Sequence, residues 1–276
     1  MAHPQIAAFA RLAKENDKPS RSIAGQATNL SRSMHDIRYD AVHDEIFIPS
    51  PFGRAILVFR GGAHGEEAPI RIIQGPNTRV TDRLDVDPVH NEIFVPGRDA
   101  ILVYPRNGNG DVAPLRVIRG PDTEIRSARA IAVDPIHNLI IVGDDGGRKG
   151  PDKHGRDGAL LIFNRTDNGN AKPRAVIAGS KTNLAASGQI QVYGPKGWII
   201  VTRSGDDQRL VEPEGVFIGI WSIHDNGNVP PHWKIEGPKS MLKRPRGVVL
   251  NPKNKEIIVA DMRLNGVLTY YFPEIF

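Results

Sequence analysis

The chain has 276 residues, a formal net charge of +5 and no cysteine, which excludes disulfides, thiolate metal sites and a cysteine nucleophile. Its 36 Lys and Arg residues are interleaved with 31 Asp and Glu residues, so the chain lacks the basic block that is typical of nucleic-acid binding. No apolar stretch reaches the roughly 18 residues that a membrane span needs.

The 28 Gly and 22 Pro residues predict many turns, and short strands joined by such turns indicate an all-β fold. Two short apolar segments come first, residues 6–13 and residues 20–25, with a charged turn between them. Residues 1–20 do not have the pattern of a secretory leader. We therefore expect no leader in this chain, and a periplasmic, secreted or cytoplasmic location stays open.

A repeat then runs through the rest of the chain. It is clearest around Asp40, Asp87 and Asp134, which recur every 47 residues, and weaker copies surround Tyr193 and Asn251. Each copy has an alternating strand, a second apolar run, a third apolar run, a polar Gly/Asn turn and a last short strand that ends in Gly. Each copy thus predicts four strands, A to D, of one propeller blade.

The strand count predicts five blades. Six blades stay open, because residues 6–13 resemble a spare strand C. The last copy lacks its own strand D, and we expect residues 20–25 to supply it, so that the N-terminal strand closes the last blade. Residues 1–276 are interpreted as a single β-propeller domain of four-stranded blades.

The second copy, VDPVHNEIFV…AILVYPRNGNGDVAPLRVIRGPDT, resembles NHL-type and related bacterial propeller repeats of the GNxxPxRxIxG variety. The resemblance covers nearly the whole chain, most clearly residues 33–180. It implies the architecture and no particular activity, since most members have no assigned function. Some similar six-bladed propellers are sugar-lactone lactonases or streptogramin lyases, and the lactonases hold a divalent metal through Glu, Asn and Asp residues at the channel mouth.

Strand A is innermost in a propeller, so its alternate side chains are expected to face the channel. The intervening apolar side chains, such as Ile37 and Tyr39, are expected to pack between blades. The channel-facing side chains predicted on the first three blades are Asp36, Arg38, Arg83, Asp85, Ala130 and Ala132. We expect the four charged ones to form a salt-bridged set. Because two arginines beside two aspartates suit a hard metal poorly, we expect no metal and no cofactor.

Two long B–C loops, residues 143–158 and 202–215, enlarge the third and fourth copies on the face where the A strands begin. Ligand sites are often built on such loops. We therefore expect the ligand-binding side chains to come from these loops and from the starts of the A strands. The candidates are His35, Asp36, Arg83, Arg129, Asp144, His154, Gln189, Arg203 and Arg246.

Histidines in the A–B turns, namely His43, His90 and His137, also recur at the repeat spacing. They stand one per blade and too far apart to share a metal ion, so we expect a structural role in the turns.

These observations favour a non-enzymatic module that binds an unknown protein or a small anionic or sugar-like ligand through the B–C and D–A loops at the channel mouth. The alternative is a lactonase- or lyase-like hydrolytic enzyme with its site at the same mouth and His35 or His154 as the acid/base. We expect a monomer without nucleic-acid or membrane partners.

Overall fold

The computed structural model describes residues 4–32, 34–146, 158–184, 187–205 and 214–276. It is all-β, and it confirms the prediction of a β-propeller with five antiparallel blades. Within the described residues, no helix has the length and apolar composition that crossing a bilayer requires.

The chain begins with a two-stranded antiparallel sheet of β1 (Gln5–Ala8) and β2 (Arg21–Ala24). The blades follow in chain order, and in each the strands A, B, C and D lie side by side. The first blade contains β3 (Arg38–Asp40), β4 (Glu45–Ser50), β5 (Ala55–Arg60) and β6 (Arg71–Gln74), and the second contains β7 (Asp85–Asp87), β8 (Glu92–Pro96), β9 (Ile101–Pro105) and β10 (Arg116–Ile118).

The remaining blades have longer A strands. The third contains β11 (Ala128–Asp134), β12 (Leu139–Asp144), β13 (Ala159–Asn164) and β14 (Ala175–Ala178); the fourth contains β15 (Ser187–Tyr193), β16 (Trp198–Ser204), β17 (Val216–Ser222) and β18 (Trp233–Glu236); the last contains β19 (Pro245–Asn251), β20 (Glu256–Asp261) and β21 (Gly266–Tyr271). Short 3-10 helices lie at Gln26–Thr28, Pro121–Thr123, Gly194–Lys196, Pro238–Ser240, Pro252–Asn254 and Pro273–Ile275.

The strand pairing at the chain ends differs from the predicted closure. The strand in residues 20–25 is β2, and it pairs with β1 in its own sheet, whereas the sheet of β19, β20 and β21 has three strands. The physical reason is that β1, the spare strand C of the sequence, pairs with β2. The two strands lie side by side as strands C and D do within a blade. The β1–β2 sheet is therefore half a blade.

Residue contacts divide the chain into two compact units. Unit 1 comprises Met1–Val95 and Val103–Leu115, and unit 2 comprises Pro96–Leu102 and Arg116–Phe276. The β1–β2 sheet and the first blade belong to unit 1, and the third, fourth and last blades belong to unit 2.

The A–B turns of the first three blades are built around the repeated aspartate. In the first blade, Asp40 Oδ1 accepts hydrogen bonds from the backbone N–H groups of Val42 and His43 at 2.9 and 3.1 Å, and Asp40 Oδ2 lies 2.7 Å from His43 Nδ1. Asp87 and Asp134 repeat this arrangement with the same histidine position. The predicted structural role of the repeated histidines is thus confirmed.

The C–D turn of one blade binds the outermost strand of the preceding sheet through three residues. In the third blade, Asn168 Oδ1 accepts from Val117 N at 3.0 Å, Gly169 exchanges backbone hydrogen bonds with Val117 O and Arg119 N, and Asn170 Oδ1 accepts from Asp122 N at 2.8 Å. We call this arrangement a turn contact. The four turn contacts join residues 64–66 to β2, 109–111 to β6, 168–170 to β10 and 226–228 to β14.

The turn contact also explains why strand D ends in Gly. Gly120 follows β10 with φ 141°, and a Cβ atom there would lie 2.3 Å from Asn170 Oδ1. Any other residue would be strained in this backbone conformation and would collide with the turn side chain. A Cβ atom at the equivalent Gly237 of the fourth blade would have no neighbour within 4 Å. This agrees with the next blade, the last one, whose described strands include no strand D and hence no C–D turn that could contact Gly237.

The third and fourth blades pack face to face. In unit 2, Ala130 and Ala132 of β11 belong to one buried cluster with Ile190, Ile199 and Trp221 of the fourth blade. The prediction that these alanines face a channel is therefore wrong, because the neighbouring sheet covers this face. Each buried isoleucine in such a cluster contributes about 1.5–3 kcal/mol.

The first blade is an exception on one face. Ile37 and Tyr39 were predicted to pack between blades, but they are 47% and 60% exposed, whereas the equivalent Ile131 and Ile190 are 1% and 0% exposed. In unit 1 the sheet against the first blade has two strands instead of four, and its Ile23 packs on β4 and β5 of that blade. The face of the inner strand β3 on the side of Ile37 and Tyr39 consequently stays uncovered.

A buried ion cluster in unit 1 joins β4 and β6 of the first blade to residues of the second blade. Arg71 binds both carboxylate oxygens of Glu45 at 2.7 and 2.8 Å, and Arg106 Nη1 binds Glu45 Oε2 at 2.5 Å. Arg106 Nε also donates to Asn91 Oδ1 at 2.9 Å. Glu45 thus neutralises two arginines that are largely removed from water.

We predict that Glu45→Ala lowers the free energy of unfolding by about 3–5 kcal/mol, because it leaves two buried guanidinium groups without their shared carboxylate. Chemical denaturation of the wild type and of each variant, followed by the same spectroscopic signal, measures the change in the free energy of unfolding. The control is Glu67→Ala, which removes an ion pair with the exposed side chain of Arg60 and should cost at most about 1 kcal/mol. Equal losses in the two variants would contradict the assignment of Glu45 as a structural charge.

Candidate functional site

The predicted ligand residues of unit 1, namely His35, Asp36 and Arg83, lie at the edge where the A strands begin, and a buried ion cluster holds Asp36. Arg38 Nε lies 3.0 Å from Asp85 Oδ1 and 3.1 Å from the Leu84 carbonyl oxygen, and Arg38 Nη1 lies 3.7 Å from Asp36 Oδ1. Asp36 Oδ2 also accepts from Leu84 N at 3.3 Å. Arg83, the fourth charged residue of the predicted set, is 8% exposed.

The neighbouring carboxylates favour the charged form of Arg38. Burial alone would lower the pKa of Arg38, but the charges of Asp36 and Asp85 outweigh that effect, and the net shift of the Arg38 pKa is upward. Asp36 is 7% exposed and uses both carboxylate oxygens inside the protein. The cluster therefore holds the first and second A strands in register, and we assign Asp36 a structural role.

His35 stands at the exposed rim of the same edge. Its Nδ1 atom lies 3.2 Å from Asp82 Oδ2, and the His35 side chain is 58% exposed. His35 and Asp82 hold equivalent positions before β3 and β7, so the repeat itself brings them together. A pairing of this kind orients an imidazole but, with this much exposure, leaves it in contact with water.

In unit 2, Asp144 is a structural carboxylate. It ends β12, is 0% exposed, and accepts hydrogen bonds from the backbone N–H groups of Arg126 and Ser127 at 2.8 and 2.7 Å through Oδ2. Its Oδ1 atom accepts from Gly146 N at 2.8 Å. Asp144 thereby ties the D–A loop to the start of the B–C loop, and both of its oxygens are occupied.

Asp261 does the same for the last blade and was missed in the sequence. Its Oδ2 atom accepts from the N–H groups of Lys243 and Arg244 at 2.8 Å each, and its Oδ1 atom accepts from Arg263 and Leu264. The available signal was an Asp at the end of strand B in both the third and the last copies. We call the pair Asp144 and Asp261 the loop carboxylates.

Arg203 and Gln189 are also structural. Arg203 is 1% exposed, donates from Nη1 to the Gly215 carbonyl oxygen at 2.5 Å and lies over the Phe217 ring at 5.8 Å. Gln189 is 6% exposed, and its side-chain oxygen accepts from Val248 N at 2.6 Å, which joins β15 to β19. Neither side chain faces open solvent. Arg203 holds the end of the B–C loop, and Gln189 holds β19.

Arg129 and Arg246 occupy equivalent irregular positions. The pairing of β11 with β12 shifts register at Arg129, and the pairing of β19 with β20 shifts register at Arg246. A β-bulge turns a side chain away from the regular alternation. The Arg129 side chain is 59% exposed with its Nε atom 2.9 Å from Asp145 Oδ2, and Arg246 is partly exposed.

His154 and most of the two long loops, residues 147–157 and 206–213, lie outside the described residues. In the part of the chain that the structure describes, no three His, Asp or Glu side chains are placed to hold a metal ion. The chain matches no protein-family model, and no characterised protein shows significant similarity to it.

We predict that Asp144→Asn destabilises the D–A loop of the third blade by about 1–3 kcal/mol, because the new amide group turns a donor toward backbone donors. Hydrogen exchange at the Arg126 and Ser127 amides measures the effect. The control is Asp99→Asn, which alters an exposed partner of Arg119 and should change these amides little. Unchanged exchange at Arg126 and Ser127 in Asp144→Asn would contradict the structural role.

Tyr270 supports the neighbouring loop of the last blade. Its hydroxyl group donates to the Ser240 carbonyl oxygen at 2.6 Å. Burial, together with the charge of Asp261, raises the pKa of Tyr270 to about 12. A folded-state pKa above the usual value of about 10 gives stability that is complete below pH 10 and is lost as the pH rises toward 12.

We therefore predict that stability falls between pH 9.5 and pH 12 less steeply in Tyr270→Phe than in the wild type. Urea denaturation across this range measures the slope. The control is Tyr271→Phe at the exposed next position, which should keep the wild-type slope. Identical slopes in all three proteins would show that ionisation of Tyr270 is not coupled to folding.

Proposed function

We propose that the protein is a non-enzymatic binding module that recognises an anionic partner through the edge of unit 2 where the A strands begin. Basic side chains from the D–A and B–C loops gather along this edge. We call them the basic edge, and its members are Arg98, Arg126, Arg129, Lys243, Arg244 and Arg246.

Backbone contacts place the first three members in one neighbourhood. The backbone N–H of Arg126 donates to Asp144, and Arg129 follows three residues later. The Arg98 carbonyl oxygen accepts from the N–H of Ala128, the residue before Arg129, at 3.1 Å. The side chains of Arg98, Arg126 and Arg129 are exposed. A small anion or a negatively charged surface can thus meet several guanidinium groups from adjacent turns.

The observation that carries the proposal is the use of the loop carboxylates. Asp144 and Asp261 are buried and bind backbone N–H groups of the same loops that present the basic side chains. Their oxygens are turned inward to the loops, while Arg126 presents its charge to solvent. Loops held in this way present positive charge without a large ordering cost on binding.

The same bonding pattern argues for binding over catalysis. A general acid or base must reach a substrate proton, and a catalytic carboxylate must keep an oxygen available. The candidate carboxylates Asp36 and Asp144 both have their two oxygens engaged inside the protein. This supports a scaffold that displays charge.

The test uses a sulfated polysaccharide, heparin, as an anionic probe. We predict that the double variant Arg126→Gln with Arg129→Gln binds heparin roughly tenfold more weakly than the wild type, about 1.4 kcal/mol, at fixed salt. Isothermal titration or column retention against salt measures the difference.

The matched control is Lys172→Gln with Lys253→Gln, which removes the same charge from exposed positions in a C–D turn and after strand A. It should leave heparin affinity within about twofold of the wild type, because those turns lie at the opposite ends of the strands. Equal weakening in both double variants would show binding by overall charge alone and would overturn the proposal.

A further inference from the structure

The four turn contacts share one backbone geometry but differ in the side chain that accepts the first hydrogen bond. In three of them the acceptor is an amide oxygen: Asn109, Asn168 and Asn226 accept backbone N–H groups at 3.1, 3.0 and 2.9 Å. In the contact that holds β2, the acceptor is His64 Nδ1, which lies 3.4 Å from Ser22 N. This hydrogen bond is the longest of the four.

The two acceptor types respond differently to pH. An Asn amide oxygen accepts hydrogen bonds throughout the pH range of a folded protein, whereas an imidazole nitrogen accepts only while it is unprotonated. A protonated imidazole has an N–H group at both nitrogens. At His64 the new N–H would face the N–H of Ser22, and the attraction would become a repulsion.

We propose that His64 makes the docking of the β1–β2 sheet on the first blade pH-sensitive, so that protonation of the imidazole by solvent releases this sheet. His64 is exposed, and a solvent proton can reach it. The state with β2 docked requires an unprotonated Nδ1 atom, and the released state does not. Docking is therefore favoured while Nδ1 is unprotonated, and it weakens as the pH falls and the imidazole gains a proton.

The β1–β2 sheet is suited to local release. A two-stranded sheet is marginally stable by itself, so its order depends on its attachment. Apart from His64, the contacts of the described residues that attach it include the two backbone hydrogen bonds of Gly65 with Ser22 O and Ala24 N, the bond from Ala27 N to Glu66 at 3.1 Å, and the packing of Ile6 and Ile23. The hydrogen bond to His64 is one of the four named here, so its loss weakens the attachment of the sheet.

The charged side chains around His64 act in both directions. Glu66 and Glu67 lie in the same turn and favour a protonated imidazole, while Arg21 on β2 and Arg60 on β5 oppose it. Arg60 binds Glu67 at 2.5 and 2.6 Å, which offsets the charge of that glutamate. Glu66 is the other titratable acceptor of this turn contact, through its hydrogen bond from Ala27 N.

Hydrogen exchange on the full chain tests the proposal at single amides. The measured quantity is the protection factor, corrected for intrinsic exchange, at pH 7.5 and pH 5.5. We expect the protection of Ser22 and Ala24 to fall about tenfold at the lower pH. The amides of Ile72 and Gln74, which hold the same positions in the second turn contact, should keep their protection. A parallel fall at both contacts would overturn the proposal.

Two variants separate His64 from its neighbours. His64→Asn gives the first contact the acceptor of the other three, and it should make the protection of Ser22 independent of pH. Asn109→His should transfer the pH dependence to Ile72, with the Val176 amide as a reference for intact folding. A pH dependence at Ser22 that persists in His64→Asn would assign the effect to Glu66 or another group and refute the role of His64.

Discussion

The architecture depends on one repeated interaction, the turn contact that ties the outermost strand of one sheet to the C–D turn of the next blade. Strand D is short and pairs on one side only, so its other edge would be an open row of backbone donors and acceptors. The C–D turn covers that edge with side-chain and backbone hydrogen bonds, for example at Val117 and Val176. The Gly that ends strand D allows the turn to approach. The apolar faces that these contacts align then supply most of the stabilisation.

Much of this fold could be predicted from the sequence, because the repeat couples two short-range signals to one structure. The repeated aspartate defined the A–B turn, and the Asn-Gly pair defined the C–D turn. The role of the second and third residues of the C–D turn, for example Gly169 and Asn170, was not predictable from the sequence, since their hydrogen-bond partners lie in the preceding blade and the segment that follows it. The pairing at the chain ends failed for a related reason: the patterns of β1 and β21 both fit strand C, and pattern alone does not decide which of them β2 joins.

The candidate site shows a different limit of sequence reasoning. Within each unit, charged residues lie where the A strands begin, but their availability depended on hydrogen bonds that no pattern displays. Asp36, Asp144, Gln189 and Arg203 proved to be internal supports, because each is buried against backbone groups. Arg129 stayed exposed because a β-bulge turns it outward. In unit 2, these supports and the exposed cations are the basis on which we propose the basic edge.

The most direct test of the role assigned to the turn contacts is native-state hydrogen exchange on Asn226→Ala. This variant removes the acceptor for Val176 N in the fourth turn contact and leaves the third contact unchanged. The account predicts that protection of the Val176 amide falls about tenfold while that of Val117 stays at the wild-type level. Unchanged protection at Val176, or an equal fall at both amides, would contradict the claim that each turn contact holds its own outer strand.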